Sequence, residues 1–181
     1  MKKTVIIVAV VAVIALIIGG IALNSGNNSG EGIKLETAGE MQALIEKIYT
    51  DTEMPLQSLQ TNELDVAETE MVSYITGLSS NENVETVVVS EPMMTSQAYS
   101  LVMVKVAENA DVESMKQEMV DNIDTRKWIC VTAEKVYATN SGNIIFLVMS
   151  SEELAKPVYE AFKTEANGQI GKELERTEEV L

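Results

Sequence analysis

Residues 5–23 read VIIVAVVAVIALIIGGIAL and carry no charged or strongly polar side chain. As an α-helix this run is about 28 Å long at ~1.5 Å per residue, against about 30 Å for the hydrocarbon core of a bilayer. A helix bonds its backbone amides internally, as lipid requires. The run is thus withdrawn from any soluble core. Lys2 and Lys3 precede it, and the next basic residue is Lys34. Basic flanks stay inside, so the N-terminus is expected in the cytoplasm and everything after Asn24 outside. The alternative is a cleaved signal peptide. Gly20 and Ala22 are small residues two apart, but signal h-regions of about 7–15 residues are shorter than this run. Both readings export the rest of the chain. No Cys lies near the end of the run, which argues against a lipoprotein anchor.

Four regions follow. Residues 1–23 form a transmembrane anchor or uncleaved signal. Residues 24–32, NSGNNSGEG, are a flexible linker with nothing to bury. Residues 33–166 suit one extracytoplasmic α+β domain. Residues 167–181 contain Gly168, Gly171 and a charged run, and read as a frayed helical or disordered acidic tail. The formal charge is −15. That repels nucleic acid and anionic headgroups, favours solubility and suits a basic partner. A single Cys, Cys130, excludes an intramolecular disulfide, and its apolar neighbours predict a buried thiol. The chain has no His, which removes the commonest general base and metal ligand.

Within the domain, Thr37 and Glu40 make a capping-box pattern ahead of Met41, Leu44, Ile45, Ile48 and Tyr49, an apolar helical stripe. A second helix is predicted over about 65–76, with Met71, Tyr74, Ile75 and Leu78 inward and Gly77 as its stop. Strands are predicted at 84–89 (VETVVV) and 99–106 (YSLVMVKV). The second puts Leu101 and Met103 on one face, and Val102, Val104 and Val106 on the other. Such runs suit a sheet largely covered by helices. A helix capped by Asp111 follows, with Val112, Met115, Met119 and Ile123 in one stripe. Strands at 135–139 and 144–149 flank the turn Asn140-Ser141-Gly142-Asn143. Ser150 to Glu153 read as a capping box for a last helix, which Pro157 is expected to kink or restart. The predicted architecture is a four-stranded, mainly antiparallel sheet with helices packed on it.

Chemistry is sparse. No phosphate-binding loop, dinucleotide fingerprint or serine-hydrolase motif is present, and no cofactor is expected. Two carboxylates suffice for glycoside hydrolysis, so a carboxylate-based hydrolase acting on envelope glycan is the enzymatic alternative. The cluster Glu63, Asp65, Glu68 and Glu70 offers oxygen ligands for a cation sensor, but lacks the glycine and alternation of a calcium loop. Arg126, Lys127 and Trp128 form the most distinctive local group. They either present a binding surface, or bury Trp128 while the cations snorkel outward. Met93 and Met94, between two strands, are a second candidate contact surface.

Tyr74 with Gly77-Leu78, Pro92, Ala98, the strand to Val106 and the stretch from Asp111 to Met149 resemble an uncharacterised bacterial family, domain of unknown function 4358. The resemblance spans Met41 to Phe162. It implies a bacterial, exported domain behind a short N-terminal anchor, and it brings no catalytic residues. The expected function is a non-enzymatic, membrane-anchored module that binds another envelope component.

Overall fold

The computed structural model describes residues 32–94 and 96–179. The apolar run at 5–23, and with it the expected membrane helix, lies outside the described residues. No helix among the described residues is long and apolar enough to cross a membrane. The elements are α1 (Ala38–Asp51), β1 (Leu59–Leu64), α2 (Thr69–Thr76), β2 (Val84–Pro92), β3 (Ser100–Val106), α3 (Val112–Asn122), β4 (Lys135–Ser141), β5 (Ile144–Ser150), α4 (Glu152–Glu165) and β6 (Leu174–Thr177). All strands belong to one sheet in the order β1-β2-β3-β5-β4-β6, and every pairing is antiparallel.

The α+β class and the antiparallel sheet match the sequence reading. The strand number does not: the sheet has six strands, not four. Both additional strands, β1 (LQTNEL) and β6 (LERT), are edges. An edge strand has one ladder partner and little burial, so it needs no β-branched run to form. The segment read as a frayed tail therefore carries an ordered strand. Arg176 of β6 inserts its guanidinium at the C-terminal end of α3. It donates to the carbonyls of Val120, Asp121 (3.0 Å) and Ile123 (2.7 Å), which a helix end leaves without intrahelical partners. Arg176→Ala is expected to cost about 1.5–3 kcal/mol, the scale for hydrogen bonds to a charged group. Urea unfolding measures the loss, and faster amide exchange in β6 than in β4 locates it.

The two central strands split the core. Val102, Val104, Val106, Ile145, Leu147 and Met149 face α2 and α3, together with Val72, Ile75, Met119 and Val120. Leu101, Met103, Ile144, Phe146 and Val148 face α1 and α4, together with Met41, Ile45, Val158 and Phe162. Helices thus cover both faces, and the continuous apolar runs of β3 and β5 follow from burial on both sides. The hairpins β2–β3 and β4–β5 are each followed by a helix, but α3 and α4 lie on opposite faces. A two-fold axis normal to the sheet would keep both on one face, so the two units are not related by symmetry.

Local signals were mostly obeyed. Thr37 and Glu40 form both halves of the capping box, and Asp111 accepts from the Ser114 amide at 3.1 Å. The β4–β5 turn is Gly142-Asn143, with Gly142 at φ 58°, the positive φ that a two-residue hairpin needs at its first central position. The capping box at Ser150 does not form. Ser150 ends β5 and its hydroxyl donates to the Ala98 carbonyl at 2.6 Å, while α4 starts at Glu152. The helix continues through Pro157 to Glu165 without a restart. In α2 the inward residues are Val72, Ile75 and Thr76, followed by Leu78, whereas Met71 and Tyr74 are exposed.

Candidate functional site

The end of the sheet where β2 finishes and β3 begins holds the most unusual side chains. Glu91 is the last residue but one of β2, and Ser100 opens β3. Lys127 reaches them from the connection between α3 and β4. Its Nζ lies 2.5 Å from Glu91 Oε1 and 3.3 Å from Ser100 Oγ. The Lys127 side chain is 2 % exposed and that of Glu91 29 %. The ammonium meets Glu91 Oε1 without the alignment of a hydrogen bond, so charge rather than directed bonding compensates this carboxylate. The rings of Tyr74 and Trp128 flank the ammonium, with centroids at 5.7 and 5.4 Å, within cation–π range.

The group Arg126, Lys127 and Trp128 therefore divides. Arg126 is exposed, Trp128 is half-buried against the α2–α3 side of the core, and Lys127 turns inward. The expectation that both cations snorkel outward is corrected for Lys127. A largely buried carboxylate requires a counter-charge, and Lys127 supplies it. Cys130 also departs from expectation. It is exposed, at φ 60°, because 128–131 is a bend rather than a strand.

Around this ion pair lies an apolar surface. The large apolar side chains exposed among the described residues are Met71, Tyr74, Met93, Met94 and Ile129, each between 44 % and 68 % accessible. Met71 precedes Tyr74 by one helical turn. Met93 and Met94 follow Glu91 by two and three residues, and Ile129 adjoins Trp128. All five therefore sit within three residues of Tyr74, Glu91 or Trp128. Met93, Met94, Arg126, Lys127 and Trp128 were legible as candidates; Met71, Tyr74, Ile129 and Glu91 were not. Apolar residues on α2 make two overlapping stripes, and periodicity alone does not say which faces in. The Tyr74 hydroxyl is held above the usual tyrosine pKa, first by burial and then by the negative charges of Glu91 and Asp124.

Two open clefts border α4. One is lined by Glu134, Ser151, Glu152, Glu153, Lys156 and Glu160; the other adds Tyr137, Tyr159, Glu173 and Glu175. Glycoside hydrolysis needs one carboxyl group that keeps its proton near neutral pH. Glu173 moves the other way: hydrogen bonds from Lys163 and Tyr159 hold it below the usual carboxylate range. Among the described residues no group of three or more His, Cys, Asp or Glu side chains is placed to hold a metal ion. In the acidic stretch before α2, Asp65 instead accepts from the Ala67 amide at 2.9 Å.

The opposite face holds a buried tyrosine pair. Tyr99 donates to the Tyr49 hydroxyl at 3.1 Å. Burial pushes Tyr49 up to about 12 and Tyr99 well above 10, and it also raises Tyr159. A folded-state pKa above the unfolded value gives stability that is present below pH ~10 and lost as pH rises. The melting temperature is expected to hold to pH ~9.5 and to fall beyond, by roughly 1.4 kcal/mol per pH unit for each buried tyrosine. Thermal melts across that range check it, and Tyr49→Phe should flatten the slope.

No protein-family model, curated protein or solved structure matches this chain.

Proposed function

We propose that the chain is a membrane-anchored, extracytoplasmic binding module of a bacterial envelope, without catalytic activity. Its contact surface is the apolar corner built by Met71, Tyr74, Met93, Met94 and Ile129 over the Glu91–Lys127 pair. The observation that carries the reading is this clustering: the large exposed apolar side chains of the described residues gather in one place, as interaction surfaces do. Tyr74 and Trp128 are the residue types that dominate binding energy at interfaces, and flexible Met side chains adapt to a partner. The apolar run at 5–23 behind Lys2 and Lys3 supports the anchor and its direction, and the resemblance to domain of unknown function 4358 supports export. The glycan-hydrolase reading has less behind it, since the carboxylates beside α4 include no group held protonated.

A photo-crosslinking residue at position 71 or 94 of the full chain, in its native membrane, is expected to give one discrete protein adduct. The same residue at exposed Lys172 should give none. Equal adducts from all three positions would remove the corner as the contact surface. Protease added to intact protoplasts is expected to digest the domain, and survival there with digestion after lysis would reverse the orientation.

A further inference from the structure

Resting on that reading, we propose that the occupant of this corner is a cationic amphipathic segment of a partner protein. Its apolar side chains cover Tyr74 and the methionines, and its lysines or arginines meet Glu70 and Asp124. The first support is charge. Glu70 lies one turn before Tyr74 on α2, and both are exposed. Glu91 and Asp124 both place negative charge on the Tyr74 ring. Lys127 is engaged by Glu91, which leaves Arg126 as a cation on the same rim, within a chain of net charge −15. The second support is the rings. Tyr74 and Trp128 already hold one ammonium at cation–π distance, so their surroundings suit cations.

The third support is where the chain enters the domain. The Ile33 amide donates to Ser141 Oγ at 2.9 Å, and the Gly32 backbone lies against Gly142. Entry is thus at the β4–β5 turn, beside the Ile144–Lys105 pair. The apolar corner is at the Ser100–Met149 end of the same ladder. Five residues separate the two ends, about 17 Å at ~3.4 Å per residue. A bilayer holding the N-terminal run is therefore approached by the other end of the sheet, and the acidic surface repels anionic lipid. A second copy in a two-fold contact would set the carboxylates of Glu70 and Asp124 against their own duplicates, which like-charge repulsion opposes.

Trp128 is the only tryptophan of the chain, so its emission reports on the corner directly. The test uses the full chain in phosphatidylcholine nanodiscs, titrated with a helical leucine/lysine peptide and, separately, its leucine/glutamate counterpart. The lysine peptide is expected to blue-shift Trp128 saturably and to bind at least about tenfold tighter, about 1.4 kcal/mol. Met93→Ser with Met94→Ser should abolish the shift. Glu70→Gln with Asp124→Asn should bring the two peptides within about twofold; asparagine keeps the oxygen that accepts from the Arg126 amide at 2.8 Å. Equal binding of both peptides overturns the cationic partner and leaves the binding module standing. So does silence from both peptides while the crosslink from position 94 persists. Silence in both experiments overturns the two readings together. A Trp128 shift on adding free phosphatidylcholine or phosphatidylglycerol vesicles, with no peptide effect, assigns the corner to lipid instead.

Discussion

Lys127→Met is expected to destabilise the fold by about 2–4 kcal/mol. Removing one partner of a fully buried ion pair costs about 3–5 kcal/mol, because the other charge is left without compensation. Glu91 retains 29 % exposure, so water recovers part of that and the effect sits lower in the range. The Ser100 hydroxyl loses its 3.3 Å partner as well. Methionine keeps most of the aliphatic stem between Tyr74 and Trp128, so the change tests charge rather than packing. Lys127→Met combined with Glu91→Met is expected to recover most of the loss, since an apolar pair of similar volume needs no counter-charge. Urea unfolding of the four proteins in this cycle gives the coupling directly. A cost below about 0.5 kcal/mol for Lys127→Met would mean that Glu91 is hydrated, and that the pair is a surface interaction of little weight.

Gly77→Ala is expected to cost about 2–5 kcal/mol, through two separate effects at one position. Gly77 ends α2 at φ 80°, in the left-handed region, where a side chain costs roughly 1–2 kcal/mol. An added Cβ would also stand 2.8 Å from the Ile123 amide nitrogen and 2.9 Å from the Met119 carbonyl oxygen. Those two atoms bond each other at the end of α3. The obstacle is backbone, which yields only if α2 and α3 part, and overpacking of that kind costs roughly 1–3 kcal/mol. Gly77→Asn separates the effects, because asparagine tolerates left-handed backbone but carries the same Cβ. It is expected to recover less than half of the loss in urea unfolding. Full recovery would show that backbone conformation alone fixes this glycine. Because α2 carries Tyr74, either variant should also change Trp128 emission, linking the helix packing to the candidate site.

Much of the central architecture was legible. The alternation in YSLVMVKV named both faces of β3 correctly, since a strand covered on two sides must be apolar on two sides. The Thr37 box and the Asp111 cap were readable because capping depends on residues three apart. The edges were not. Gln60, Thr61, Asn62 and Glu63 form a strand only because β2 offers them a ladder, and residues 174–177 do so only because β4 does. Ser150 shows the same limit from the other side: it had capping chemistry, but the nearby Ala98 carbonyl took its hydroxyl.

At the candidate site the division is sharper. Five of its residues, Met93, Met94, Arg126, Lys127 and Trp128, stood out as uncommon types in two separate stretches. That they belong to one corner, with Tyr74, Glu91 and Ile129 between them, depends on how α2 and the α3–β4 connection pack over the ends of β2 and β3.

Local order in the chain determined the caps, the central strands, the acidic surface and the apolar N-terminal run, because each arises from neighbours a few residues apart. Only the tertiary structure decided the six-stranded width, the inward turn of Lys127 and the gathering of exposed apolar side chains. Those depend on which distant groups a folded surface brings together, and on charges and ladder bonds that find partners only there.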